Sequence, residues 1–342
     1  MTNHTITLIH GDGIGPELSE VTLKVLGAVT EKTGISLNIV KVEAGDECLK
    51  KRGVALPQDT VEAIKNSDAC LKGPVGETAA DVVVKLRLMF DLYANIRPIK
   101  AYPSVPSMSP DIDFVFVREN TEDVYTGKEF MLNEIAVCLR IISRRGSERI
   151  ARKAFEFARR RNKKRLVTAV HKANVMKVSC GLFATVCREV AHLYPDIAFE
   201  EQYVDAMAMR LIKEPQRFDV VVTTNMFGDI LSDEAAQLIG GLGMAPGANI
   251  GDDFGLFEPI HGSAPTRVGR QTANPCSMVL AAKMMLDWLS EKHNDPKCST
   301  AAEAIEKAVT ETLRRGITVP DLGGIATTSE MGDAIAKEII GK

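Results

Sequence analysis

Residues 6–17, ITLIHGDGIGPE, set the reading of the fold. Ile6–Ile9 is a short apolar run of the kind that forms a buried strand. The glycine turn after it leads to Pro16, which suits the first position of a helix because that position needs no N–H. The same alternation continues along the chain. Strands are expected at Leu37–Val42, Ala69–Lys72, Phe114–Val117, Leu166–Val170 and Asp219–Thr224. Helical patterns cover Val61–Asn66, Ser147–Arg161, Val175–Leu193 and Met278–Ser290. Strands and helices alternating in this way imply an α/β fold with a largely buried sheet. GDGIGPE is not Gly-x-Gly-x-x-Gly, and Asp12 and Glu17 would repel a phosphate at the helix start. It is therefore a poor dinucleotide fingerprint.

At 342 residues the chain predicts two domains, at roughly 150 residues each. Pro98, Pro103, Pro106 and Pro110 mark one crossing between lobes, and the Pro/Gly-rich stretch 240–255 marks a second. Two crossings would build one domain from both chain ends. Apolar residues make up 45% and the net charge is −3, so a sizeable core is expected and no global basic field invites nucleic acid or anionic lipid. The basic run Arg159–Arg165 has no aromatic residues interleaved and reads as a solvated helix end. No apolar stretch is long enough to span a membrane, and the amino terminus lacks the pattern of a signal peptide. Seven cysteines with no Cys-x-x-Cys pair argue against a disulfide framework or thiolate zinc site and fit a reducing cytosol.

Ionisable residues gather where strands end. FVFV runs into Arg118, LVTAV into Lys172, DVVVTTN toward Asp229 and Asp233, and FEEQYV meets Asp205. Ligands of open α/β sheets collect outside such ends, so an anionic substrate and a hard cation are expected. On a helix over FGDILSDEAAQLI, Asp229 and Asp233 lie about 40° apart, opposite Leu231, Ala235 and Leu238. With Asp205 they would form an oxygen-rich set suited to Mg²⁺ or Mn²⁺. The plain alternative makes Asp229 a helix cap and leaves Asp233 on a solvated face. Arg87, Arg97 and Arg118 would together hold a di- or tricarboxylate through bidentate forks; three separate surface ion pairs are the alternative. Lys172 would become a usable base if buried, and Tyr125 is either a proton donor or a tyrosine at a pocket rim. Residues 261–275, HGSAPTRVGRQTANP, offer backbone N–H groups, His261 and Asn274 as a cofactor loop, or else an irregular connection.

The ordered set GDGIGPE (11–17), KGP (72–74), LR…DLYANIRP (86–98), RENTED (118–123), HKANVMK (171–177), YVDAMAM (203–209), GDILSD (228–233), EPIHGSAP (258–265), ANP (273–275) and PDLGG (320–324) resembles the β-decarboxylating dehydrogenases. Members of that family act on isocitrate, 3-isopropylmalate, homoisocitrate or tartrate. The resemblance covers nearly the whole chain and implies a two-domain α/β fold that is not a Rossmann fold, with the active site in the interdomain cleft. Residues 1–95 and 241–342 would form a discontinuous cofactor-binding domain. Residues 96–240 would carry substrate, metal and dimerisation surfaces. A homodimer or larger homo-oligomer is implied, with Lys172 and Asp205 facing the partner's site.

By the same resemblance, Arg87, Arg97 and Arg118 hold the malate carboxylates, and Asp205, Asp229 and Asp233 hold Mg²⁺ or Mn²⁺. Lys172 helps remove the hydroxyl proton, and Tyr125 protonates the carbon left by decarboxylation. Cofactor contacts fall on Ile14, Glu258, His261, Gly262, Ser263, Ala264, Thr266, Arg267 and Asn274. Substrate choice rests on the residues before Arg87, where Asp81, Val83 and Val84 would repel a third carboxylate and contact an isopropyl group. A hydrophobic pocket of this kind discriminates by about 1–3 kcal/mol, favouring 3-isopropylmalate, with homoisocitrate second if Lys85 reaches a distal carboxylate. Thr266 stands where NAD-preferring relatives carry Asp, while PDLGG follows the NAD pattern. NAD is therefore expected, with NADP tolerated. All the catalytic positions are filled, which argues against a silent regulatory subunit.

Overall fold

The computed structural model describes residues 3–79 and 81–341. Its strands are β1 (Asn3–Ile9), β2 (Ser36–Val42), β3 (Ala69–Lys72), β4 (Ala94–Lys100), β5 (Asp113–Glu119), β6 (Glu129–Leu132), β7 (Ile135–Cys138), β8 (Leu166–His171), β9 (Ala198–Tyr203), β10 (Val220–Thr223), β11 (Pro246–Ile250) and β12 (Gly255–Pro259). Its helices are α1 (Gly15–Thr33), α2 (Asp46–Arg52), α3 (Gln58–Lys65), α4 (Asp81–Met89), α5 (Arg144–Arg161), α6 (Ser179–Ala191), α7 (Val204–Lys213), α8 (Asn225–Gln237), α9 (Cys276–His293), α10 (Pro296–Arg314) and α11 (Thr328–Ile340). Every strand expected from the sequence is present.

Ten strands form one sheet in the order β2-β1-β3-β12-β11-β4-β5-β10-β8-β9. The five strands from the chain ends lie side by side, and the five from the middle follow them. The pairs β12–β11, β11–β4 and β4–β5 are antiparallel and the remaining pairs are parallel. The carboxyl ends of the two parallel halves therefore point in opposite directions. Arg118, Lys172, Asp205 and α8 all lie at or just beyond the carboxyl ends of the middle half. The GDGIG turn and Lys72 lie at those of the other half.

Side chains alternate between the two faces of a pleated strand. Asn95 and Arg97 on β4 pair across to Arg118 and Phe116 on β5, so all four share one face, the face that α8 covers. On the opposite face, Ile96, Val115 and Ala248 line a cavity of about 700 Å³ between α5 and α9. This cavity lies across the sheet from the buried arginines.

One expectation needs correction. The helix read over Val175–Leu193 begins only at Ser179. Residues before it form a turn in which the N–H groups of Val175 and Met176 donate to the Lys172 carbonyl, and Val175 and Val178 project into solvent. Asp12, in the glycine turn after β1, accepts hydrogen bonds from the backbone N–H groups of Asp46, Glu47 and Gly76 at 2.7–2.9 Å. It thus anchors the start of α2. The basic run at the end of α5 is neutralised, since Arg159, Arg160 and Arg161 pair with Asp196, Glu291, and Asp113 with Asp219.

Candidate active site

Arg87, Arg97 and Arg118 are only 7%, 5% and 1% exposed. Buried guanidinium groups need partners, and here they share them. Arg97 donates to Ser232 Oγ at 2.8 Å, Asp233 Oδ1 at 2.9 Å, Asp229 Oδ1 at 3.2 Å and Asn95 Oδ1 at 2.7 Å. Arg118 donates to Asp229 Oδ1, and to Asn225 Oδ1 at 2.7 and 3.0 Å. Arg87 donates to Asn249 Oδ1 at 2.9 Å, and Asn249 also receives the side-chain amides of Asn95 and Asn120. The three arginines are thus not separate surface pairs. Asn249 links Arg87 to Asn95, the residue that also holds Arg97.

On α8 the core face is Leu231 and Ala235, continued by Leu238 just past the helix end, as the helical spacing requires. The cap position belongs to Thr224, which rules out the capping reading of Asp229. Asp229 Oδ2 accepts from Tyr125 Oη, while Arg118 lies 5.1 Å from the centre of the Tyr125 ring. Burial would raise the Asp229 carboxyl, but Arg118 and Arg97 outweigh it and hold the group below the usual carboxylate range. Burial dominates at Asp233 and pushes it up, with Arg97 opposing and Asp229 adding to the rise. Burial, and then the hydrogen bond to Asp229, raise the Tyr125 phenol, keeping it protonated at neutral pH. Arg118 falls to about 9 through burial and the nearby Arg97 and Arg87, and it remains cationic at neutral pH. The donors facing this space are carboxylate and hydroxyl oxygens, a set that fits Mg²⁺ or Mn²⁺.

Gly228 permits the close packing of α8 on Arg118. A Cβ there would lie 2.5 Å from Arg118 Cγ and 2.7 Å from its Cβ. Arg118 is enclosed and has nowhere to retreat, so Gly228→Ala should lower thermal stability by about 1–3 kcal/mol, the usual cost of overpacking. Thermal unfolding of the variant checks this.

Lys172 and Asp205 form a pair of their own. Lys172 Nζ donates to Asp205 Oδ1 at 2.6 Å, and this bond heads the causes that lower the Asp205 carboxyl. The Asp205 side chain is 66% exposed. Among the described residues, Asp205, Asp229 and Asp233 do not form a compact metal-sized group within this one chain. Arg140 ties the Lys172 turn to α8. It contacts Asp123 Oδ2 at 2.9 Å, Thr224 Oγ1 at 2.5 Å and Met176 Sδ at 3.2 Å.

Of the cofactor-loop candidates, Ile14 and Ser263 are in contact. The Ile14 N–H donates to the Ser263 carbonyl at 2.9 Å, and Gly13, at φ +60°, approaches that carbonyl so closely that a Cβ would lie 2.0 Å from it. Ala264 is left-handed at φ 42°. His261 contacts Ser277 Oγ at 3.0 Å, and burial keeps its pKa below the ordinary value, so it is neutral at pH 7. Asn274 Oδ1 accepts from the Cys276 N–H at 3.0 Å, while Gly262, Thr266 and Arg267 are exposed. Glu258 faces inward, 2.8 Å from Lys72 Nζ and 3.6 Å from Arg87. Burial would raise it, but Lys72 and Arg87 hold it at about 2. Val83 and Val84 are half-buried on α4, and Lys85 pairs with Asp81 one turn back.

Sequence reasoning missed the polar side chains that hold the arginines: Asn95, Asn225, Asn249 and Ser232. It also missed Arg140 and Lys72. Asn in a strand is the available signal, since ANIRP and PGANI each place one inside an apolar segment.

The family model described as isocitrate/isopropylmalate dehydrogenase matches residues 5–335. The 3-isopropylmalate/3-methylmalate dehydrogenase of Methanocaldococcus jannaschii is 51% identical over 340 residues, covering 98% of this chain and 99% of the relative. The 3-isopropylmalate dehydrogenase of Methanothermobacter thermautotrophicus is 49% identical, with 99% of each chain covered. The crystal structure of isocitrate dehydrogenase from Methylococcus capsulatus superposes with a TM-score of 0.91 at 43% identity, covering 98% of this chain and 99% of that one.

Proposed function

Because the chain belongs to the isocitrate/isopropylmalate dehydrogenase family, we propose that it oxidatively decarboxylates a 3-substituted malate, with 3-isopropylmalate as its preferred substrate. The observation that carries this reading is the convergence of Arg97 and Arg118 on Asp229 and Tyr125, with Arg87 linked to them through Asn249. An anionic substrate, a cation site and a proton donor are then adjacent.

A divalent cation on Asp229 and Asp233 would supply Lewis-acid stabilisation, and a nicotinamide dinucleotide, NAD with NADP accepted, would take the hydride. The chain's own side chains do the remaining work. Arg87, Arg97 and Arg118 bind and orient the two malate carboxylates, displacing part of their present hydrogen bonding to α8. Tyr125 is a neutral donor at physiological pH and delivers a proton to the carbon from which CO₂ leaves. Lys172 helps remove the proton of the substrate hydroxyl. It stands with Asp205 on a separate, exposed pair, so we assign both to the site of a second copy. Exposed Phe130, Met131, Leu132 and Ile135 on the β6–β7 hairpin, with Val178 nearby in the sequence of the Lys172 turn, supply apolar surface for that copy.

The same reading places the cofactor on Ile14, Glu258, His261, Gly262, Ser263, Ala264, Thr266, Arg267 and Asn274. It divides the chain into 1–95 with 241–342, and 96–240. No helix among the described residues is long and apolar enough to cross a membrane. The seven free thiols, six of them buried, fit a reducing compartment, and we place the enzyme in the cytoplasm.

Substrate choice follows from α4. Val83 and Val84 offer apolar contact, and Lys85, the group that would welcome a distal carboxylate, is occupied by Asp81. A panel of 3-isopropylmalate, 3-methylmalate, homoisocitrate and isocitrate with Mn²⁺ and either dinucleotide tests the reading. Formation of the reduced dinucleotide should give kcat/KM for 3-isopropylmalate at least about tenfold above that for isocitrate. Faster turnover of isocitrate would reject the choice. Tyr125→Phe should lower kcat by about 10²–10⁴-fold, while KM moves far less because the arginines remain. Steady-state kinetics checks that split.

A further inference from the structure

A second cluster of ligand-type side chains lies at the amino end of β1, four strand positions from β4, or roughly 19 Å of sheet. His4 Nε2 lies 3.2 Å from Asp295 Oδ2, and one ligand atom from each of His4, Asp295 and Cys298 falls within 4.8 Å of the others. His4 and Cys298 are buried, and the Cys298 thiol has no side-chain hydrogen bond among the described residues. The His293 ring stands 5.1 Å from the His4 ring, beside Asp68 at 3.7 Å. We propose that His4, Asp295 and Cys298 form a binding site for a zinc-type divalent cation, with His293 or water as the fourth ligand.

The geometry suits that chemistry. Ligand atoms on a tetrahedral zinc stand about 3.4–3.8 Å apart, given metal–ligand distances near 2.0–2.3 Å. Separations within 4.8 Å need to contract by at most about 1.4 Å to meet this. Asp295 divides its oxygens: Oδ1 accepts the Lys297 N–H at 3.0 Å and caps α10, while Oδ2 faces His4. A cation can therefore take Oδ2 without uncapping the helix. One thiol, one imidazole and one carboxylate select zinc or cobalt over the hard cation proposed for Asp229 and Asp233. Asp295 is partly exposed and leaves a route of entry. The bound ion would join the first strand to the end of α9 and the start of α10, so its role is structural. The site takes no part in the dehydrogenase reaction proposed above.

Metal-free protein, kept reduced with a non-chelating phosphine and carrying Cys138→Ser to remove the one exposed thiol, would be titrated with Co²⁺. The expected result is a thiolate-to-cobalt charge-transfer band that saturates at one equivalent and is absent in Cys298→Ser. Carboxylate sites elsewhere bind Co²⁺ without such a band. Asp295→Asn keeps a good helix cap and should weaken Co²⁺ binding at least about tenfold, so the test survives if Cys298→Ser fails to fold. Zn²⁺ should also raise the unfolding temperature, and Mg²⁺ should not reproduce that rise in an Asp229→Asn background. Absence of the band, or a band unchanged in both Cys298→Ser and Asp295→Asn, would overturn the proposal.

Discussion

Replacing Asp229 by Asn is expected to lower kcat about a thousandfold, the scale on which a preorganised electrostatic group acts in a catalytic site. Asp229 is the point where the proposed site converges. Its Oδ1 accepts from both Arg97 and Arg118, and its Oδ2 accepts from Tyr125. Burial opposes its charge, yet the flanking guanidinium groups keep it ionised below the usual carboxylate range. The amide keeps the shape and removes the charge. The proposed cation then loses a carboxylate, and Arg97 and Arg118 lose the anion that balances them. The concentration of Mn²⁺ needed for half-activation should rise, while the KM for the malate substrate changes less because all three arginines remain. Steady-state rates across a Mn²⁺ titration read both effects. A kcat within tenfold of the parent enzyme would remove Asp229 from the proposed chemistry.

Lys172→Met should lower kcat by about 10²–10⁴-fold, the range for losing a general acid–base group. Its structural cost should be small. Its ion-pair partner is Asp205, whose side chain is largely exposed, and its ammonium also lies 6.0 Å from the centre of the Tyr203 ring; ion pairs with an exposed partner add little to stability. An unchanged unfolding temperature beside a collapsed kcat would therefore separate chemistry from folding. A comparable fall in both would make Lys172 a structural residue.

Much of this arrangement is legible in the sequence because the strands that carry it are short Val- and Ile-rich runs with polar ends. LVTAV and DVVVTT read as buried strands, and their exits place Lys172 and α8 correctly. β11 lies inside the Pro/Gly-rich stretch 240–255 and β12 starts at its last residue, and PGANI and GLFEP contain Pro and Gly at their ends. They are strands nonetheless, with Pro246 at the first position, where Pro is tolerated. The β6–β7 hairpin escaped notice because its apolar residues face solvent in the single chain and leave no alternating buried face. At the site, the arginines and aspartates stood out by charge. Their convergence did not, because Arg97 meets Asp229 across 132 positions of sequence. The asparagines that link them are neutral residues whose role comes only from burial. Asp229 and Asp233 were readable from helical spacing, yet the sequence gives no sign that Arg97 already holds both.

Mixing Lys172→Met and Asp229→Asn subunits and letting them exchange tests the shared site most directly. In a mixed dimer, one site carries both defects, and the other pairs an intact Asp229 with an intact Lys172 from the neighbouring chain. Each variant alone should be nearly inactive, and random exchange of equal amounts should restore roughly a quarter of the parent activity, since half the dimers are mixed and each has one sound site. If exchange is verified and no activity returns, Lys172 serves its own chain and the two-chain site is wrong.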